Sequence, residues 1–285
     1  MNNYSTLAKA ALAALAMSGG FAEATVITFS QASLTASSGY YTDQIGGGLG
    51  TSISHNDDGF QGAIDLTAFG FSSGFTFFGG AGTELYLNNN GNVSFGSGIS
   101  AFTPTGPQGA AQPIISPFFA DVDTRNPASG LVYYRNSAPG EFIATWDQVG
   151  YYNIHTDKLN SFQLVLRDPA VYDIPLGEGA IGFFWKTMQW ETGDASGGVG
   201  GFGGTPAAVG FGNGSGDGVT LEASTTAGIA GLVQNHHIWF SQEFQPVCGV
   251  PGTPPCQTPE PETLPLLGIG LLGLTGIFWR RKFSR

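Results

Sequence analysis

Residues 113 to 135 read Pro-Ile-Ile-Ser-Pro-Phe-Phe-Ala-Asp-Val-Asp-Thr-Arg-Asn-Pro-Ala-Ser-Gly-Leu-Val-Tyr-Tyr-Arg. Two aromatic and β-branched runs, Pro113 to Val122 and Leu131 to Arg135, flank a polar turn containing Asp123, Thr124, Arg125, Asn126, Pro127 and Gly130. That order predicts strand, loop, strand, because branched and aromatic side chains suit a pleated, half-buried surface while Gly, Pro, Asn and Asp supply turn geometry. The pattern recurs at Val26 to Phe29, Ala63 to Phe71, Phe75 to Phe78, Phe142 to Val149, Ser161 to Arg167 and His236 to Phe240. In Ser161 to Arg167, Phe162, Leu164 and Leu166 alternate with Gln163, Val165 and Arg167 and so share one face. Ala180 to Trp185 is almost wholly apolar, as an inner strand requires. The clearest hairpin pairs Leu87 with Val93 and Leu85 with Phe95 across Asn89-Asn90-Gly91, where glycine accepts the positive φ of the turn.

Composition agrees with many short strands. The 285 residues include 45 glycines, which favour turns, and 22 phenylalanines, which a disordered chain rarely carries. Gly193 to Gly218 is glycine-rich but interrupted by Phe202, Val209 and Phe211, which predicts long loops around one short strand. Neither an internal repeat nor a long amphipathic helix is evident within the mature domain. The net charge is −11. Lys9, Arg280, Arg281, Lys282 and Arg285 lie in the terminal segments, leaving Arg125, Arg135, Lys158, Arg167 and Lys186 between them. Such a surface repels nucleic acid, so divalent cations or neutral polysaccharide fit better as partners.

The ends read as targeting segments. Lys9, the apolar run Ala10 to Met17 and the small-residue pattern Ala22-Glu23-Ala24 predict a signal peptide over 1–24, cut after Ala24. Residues 25–55 read as an N-terminal β extension and 56–245 as the main β domain. Residues 246–262 are a Pro/Thr-rich spacer holding Pro259-Glu260-Pro261. Residues 263–285 are an apolar segment with a basic tail whose charges favour the cytoplasmic side. Leu264 to Trp279, as a helix, would span about 24 Å, short of a bilayer core of about 30 Å, so it is marginal as a permanent anchor. Cys248 and Cys256 read as a local disulfide of an exported chain, unless the Pro/Gly-rich loop between them holds the sulfurs apart.

Two resemblances follow. Pro117 to Asp123, Gly130 to Arg135, Thr145 to Tyr152, Asp157 to Leu166, Met188 to Gly198 and Ala208 to Phe211 resemble, in order, successive blocks of the nidogen-type extracellular (NIDO) domain, with Phe119 where that family often has Trp. This resemblance implies an all-β, antiparallel β-sandwich-like domain with long Gly-rich loops, here with a terminal signal helix at each end. It also implies a non-enzymatic role in cell-matrix adhesion. The C-terminal Pro-Glu-Pro, short Leu/Gly-rich span and basic end resemble the PEP-CTERM sorting signal. That implies processing by an exosortase, tethering to the inner membrane, and then release to the cell surface or an exopolysaccharide matrix. A plain C-terminal anchor is the simpler alternative.

Candidate chemistry is sparse. Asp121 and Asp123, two apart, would face one side of a strand and could bind Ca²⁺ or act as an acid/base pair. The plainer reading is a strand end whose carboxylates accept backbone N–H groups, with Asp123 pairing Arg125. Asn56-Asp57-Asp58-Gly59 does not continue as a calcium loop and reads as an ordinary turn. Gly198 to Gly203 matches a dinucleotide fingerprint in letters only, and Gly212 to Val219 resembles a solitary calcium nonapeptide. His236 and His237 would point to opposite faces of a strand, and His155 reads as a hydrogen-bonded loop residue. Trp146, Trp185 and Trp239 read as core, whereas Tyr151 and Tyr152 are the better surface candidates for stacking on sugar. No nucleophile motif and no cofactor are indicated. The competing functional readings are a carbohydrate-active enzyme, a calcium-dependent polysaccharide-binding module and a purely structural matrix component.

Overall fold

A computed structural model describes residues 25–106 and 112–247. The expected signal helices, the cut after Ala24, Cys248, Cys256 and Pro259 to Pro261 lie outside these residues. One sheet holds seven strands. They are β1 (Val26–Phe29), β4 (Phe60–Asp65), β7 (Glu84–Asn88), β8 (Asn92–Ser94), β9 (Ile114–Phe119), β14 (Ala208–Gly212) and β15 (Gly218–Leu221), in the spatial order β1-β15-β14-β9-β8-β7-β4. The second sheet comprises β2 (Thr35–Ala36), β3 (Thr51–Ser52), β10 (Val132–Arg135), β11 (Glu141–Tyr151), β12 (His155–Arg167), β13 (Ile181–Met188), β16 (His236–Phe240) and β17 (Pro246–Val247). A separate hairpin joins β5 (Phe75–Phe77) to β6 (Gly80–Gly82). Pairing is antiparallel except for β1 beside β15. The fold is therefore an antiparallel β-sandwich, and residues 25–55 contribute strands to both of its layers.

The hairpin of β7 and β8 has the predicted register, Leu87 opposite Val93 and Tyr86 opposite Ser94, and Gly91 turns it with φ 77°. Leu85, Leu87, Val93 and Phe95 all enter the core. Ala63 to Phe71 is not one strand. Asp65 accepts the Thr67 N–H at 2.8 Å and starts a 3-10 turn over Leu66–Phe69, which Gly70 closes with φ 84°. A short Asp that bonds its own backbone two residues on competes with the ladder at that point.

Aromatic rings from the two layers interlock. Phe118 of β9 lies 5.5 Å from Phe162 of β12, and Phe211 of β14 lies 5.1 Å from Phe240 of β16. The three most deeply buried indoles each have an acceptor: Trp146 donates to the Asn89 carbonyl at 2.9 Å, Trp185 to Pro117 at 2.9 Å and Trp190 to Val149 at 3.1 Å. The first two of these bonds cross between the sheets, so they fix register as well as satisfy a buried donor.

The opposite face of β12 is also covered. Helix α1 (Tyr41–Ile45) lies on it: Thr42 N–H donates to Gln163 Oε1 at 3.2 Å, and Gln163 Nε2 donates to Thr42 Oγ1 at 3.1 Å. Arg167, fully buried, donates from Nε to Glu141 at 3.2 Å. Its Nη1 sits 2.6 Å from Glu178 Oε2, an ion pair at a poor hydrogen-bond angle. The rings of Trp239, Tyr172 and Tyr41 stand 4.2, 4.5 and 5.1 Å from its guanidinium carbon.

Glu191, also buried, accepts from Gly228 N–H at 2.9 Å and Ala230 N–H at 3.2 Å, at the start of helix α2 (Ile229–Val233). Glu191→Ala leaves those donors without acceptors and is expected to lower unfolding free energy by about 1–3 kcal/mol. Glu191→Gln, which keeps one acceptor, should recover much of that. A shifted urea midpoint at unchanged m value is the expected readout; identical midpoints for the alanine variant and the parent would refute the role.

Candidate functional site

The densest polar construction surrounds the end of β9. Asn89 and Asn90 at the hairpin tip and the Asn56 to Gly59 turn meet the segment Ala120 to Thr124. Asn56 Oδ1 accepts the Gly59 N–H at 2.9 Å, which closes the turn. Thr124 clamps it, donating N–H and Oγ1 to the Asn56 carbonyl at 2.9 and 2.8 Å, while the His55 ring bonds the Thr124 carbonyl. Asn89 Nδ2 donates to the carbonyls of Asp57 and Val122, both at 2.6 Å. Asn90 Nδ2 donates to Asp58 Oδ1 at 2.9 Å, and its Oδ1 accepts the Val122 N–H at 3.0 Å. Two consecutive asparagines thus hold two separate segments in place.

Asp121 and Asp123 sit in different surroundings, and only Asp121 converges with other carboxylates. The strand ends at Phe119, so the two-residue alternation that would align them no longer applies. Asp123 is satisfied locally: Arg125 donates its backbone N–H at 2.9 Å, Nε at 3.0 Å and Nη2 at 2.6 Å, and Ile154 N–H adds a bond at 2.9 Å. Burial alone would raise this carboxyl, but the Arg125 and Ile154 donors outweigh it and hold it below the usual range.

Asp121 instead faces Asp57 and Asp58. One carboxylate oxygen from each of the three lies within 4.8 Å of the others. Asp121 is 1% exposed, and its Oδ2 has no hydrogen-bond partner among the described residues; Asp57 Oδ1 is likewise buried and unpartnered. The backbone of Gly193 closes over it, where a β-carbon would stand 2.5 Å from Oδ2. Burial first, then the charges of Asp57, Asp58, Asp123 and Asp194, push Asp121 up to about 8. Burial and the charges of Asp123 and Asp58 raise Asp57 to about 6 against the opposing Arg125, whose Nη2 lies 3.0 Å away. The turn read from sequence as ordinary therefore supplies two of the three convergent carboxylates.

Other candidates resolve differently. Trp146, Trp185 and Trp239 are core, and so is Trp190. Tyr151, expected at the surface, is buried 5.4 Å from Trp190; only Tyr152 is partly exposed, with Arg125 5.6 Å from its ring. His155 starts β12 rather than sitting in a loop and bonds Asp194 at 2.9 Å. His236 and His237 part as expected, the first bonding the Gln234 carbonyl and the second stacking 5.1 Å from Phe184. All five cations between the terminal segments are engaged. Arg125 pairs Asp123, Lys158 pairs Asp157, Arg167 pairs Glu141 and Lys186 pairs Asp43, while Arg135 donates to the Gly46 and Gly48 carbonyls.

The nidogen-like domain model matches residues 83–141 and 137–241, together more than half of the chain. The chain belongs to the nidogen-like domain family. Alpha-tectorin of Gallus gallus is 31% identical over 211 residues, covering 64% of this chain and 9% of its own length. Alpha-tectorin of Mus musculus is 34% identical over 187 residues (56% and 8%), and nidogen of Drosophila melanogaster is 30% identical over 143 (39% and 10%). The chain thus spans only about a tenth of the length of these curated relatives. No solved structure matches it. Residues 257–282 match the PEP-CTERM protein-sorting motif, so this nidogen-like protein is exported, tethered through its C-terminal segment and marked for exosortase processing. The acidic cluster and the segments that build it lie partly inside the matched domain and partly in the preceding turn.

Proposed function

We propose that this protein is a non-enzymatic adhesive component of the cell surface or exopolysaccharide matrix, delivered there by an exosortase. The observation that carries the reading is the joining of a nidogen-like domain to a PEP-CTERM motif in one exported chain. The electrostatics support it: every cation between the terminal segments is already paired or bonded, so the surface offers little to a polyanion and more to neutral glycans or divalent cations. Among the described residues, the three clustered carboxylates converge within 4.8 Å.

The test is to label the mature protein in cells and follow it between membrane and matrix fractions. Wild type is expected to leave the membrane, and a chain with Pro259, Glu260 and Pro261 replaced by alanine is expected to stay there. Equal release of both chains would refute sorting through this motif.

A further inference from the structure

We propose that Asp57, Asp58 and Asp121 bind one Ca²⁺ ion, which ties the Asn56 to Gly59 turn to the segment that follows β9. The proposal is independent of the adhesive reading.

The geometry favours one ion shared among three carboxylates. Oxygens that ligate a single Ca²⁺ at about 2.3–2.6 Å lie at most about 5 Å apart, and those of Asp57, Asp58 and Asp121 lie within 4.8 Å of one another. The buried, unpartnered oxygens of Asp121 and Asp57 give an observation separate from the clustering. A polar atom kept out of water without a donor is costly, and native folds seldom leave one unanswered. Here the side chain that goes unanswered is 1% exposed and is held beneath Gly193 beside two further carboxylates. The one neighbouring cation, Arg125, gives its side-chain hydrogen bonds to Asp123 and reaches only Asp57 of the three. Negative charge therefore remains in excess.

The donor set is all oxygen, which selects a hard divalent cation over zinc or copper. Calcium fits better than magnesium because the carboxylates come from two irregular segments. Ca²⁺ accepts variable geometry, whereas Mg²⁺ demands a tight octahedron and keeps most of its water. The positions of all three are fixed beforehand: Asn90 bonds both Asp58 and Val122, and Thr124 clamps the turn.

The experiment uses the full chain in mild detergent, with CaCl₂, MgCl₂ or EDTA as the only variable. Calorimetric titration is expected to show one Ca²⁺ per chain with a Kd on the order of 10⁻⁴–10⁻³ M, the range of extracellular calcium modules. Thermal unfolding should shift upward in Ca²⁺ relative to EDTA. Asp121→Asn and Asp58→Asn should each weaken binding at least about tenfold and abolish the shift. Asp121→Asn replaces a buried, unpartnered carboxyl with a neutral amide of the same shape, so in EDTA it should melt no lower than wild type, which separates ligand loss from misfolding. Asp123→Asn, outside the ligand set, should melt lower yet still respond to Ca²⁺. Absence of a Ca²⁺ response in wild type, an undiminished response in Asp121→Asn and Asp58→Asn, or an equal response to Mg²⁺ would each overturn the assignment.

Discussion

Arg167→Met should cost the fold about 3–5 kcal/mol, as expected when one member of a buried ion pair is removed and the other keeps its charge. Methionine roughly preserves the volume between Trp239, Tyr172 and Tyr41, so the loss is not mainly a cavity. The cost falls on Glu141, which is fully buried and would keep only the Ser137 hydroxyl as a side-chain donor. Glu178, only half-buried, can turn to water and matters less. Adding Glu141→Gln should therefore restore stability to within about 1–2 kcal/mol of wild type, because the orphaned charge goes with it. Arg167→Lys should fall between, keeping the charge but losing the planar group that the three rings surround. Urea unfolding of wild type, Arg167→Met, Glu141→Gln and the combined variant gives the cycle; a single methionine variant within about 1 kcal/mol of wild type would show that the pair contributes little.

Gly91→Ala should be more damaging still, on the order of 4 kcal/mol or failure to fold. Two penalties act at one atom. The φ of 77° alone costs an L-residue about 1–2 kcal/mol. The new β-carbon would also overlap the carbonyl oxygen of Phe118, and backbone cannot swing aside as a side chain can. Relief requires the hairpin tip to lift from β9. That breaks the Phe118 N–H bond to Gly91 and strains the Trp146 bond to Asn89, which joins the layers. Gly48→Ala is the control: its φ of 72° carries the same conformational cost, but nothing lies within 4 Å of the added atom. It should lose only about 1–2 kcal/mol. Similar losses for the two variants would mean that the close approach at Phe118 is unimportant.

Where local chemistry decided the structure, sequence reasoning reached it. The register of the β7–β8 hairpin follows from alternation plus one glycine, and the layered β architecture follows from repeated short apolar runs. Arg125 lies two residues from Asp123, close enough for the pairing to be read directly. Tyr151 shows where alternation fails. It reads from sequence as a loop residue, but β11 runs through it, and the ladder's register changes between Trp146 and Val149 and again before Tyr151, with Gln148 at φ 51°, place its ring in the core. The acidic cluster was hidden for another reason. Asn90 reaches Asp58 on one side and Val122 on the other, each 32 residues away, and only sheet order brings those segments together. The sequence points to Asp121 as a calcium candidate but couples it to Asp123, while the consecutive acids before Gly59 look like any turn when seen alone.

Strand β1 lies beside β15, and the backbone N–H of Thr25 reaches the Asp217 carboxylate 192 positions later in the chain. A polypeptide crossing a membrane from its amino end therefore presents an edge whose partner is among the last parts of the domain to emerge. Closing so wide a loop is slow, and the leading segment stays extended and sticky until it is done. The interval before β15 becomes available is therefore the stage at which β1 is most open to proteases and to self-association.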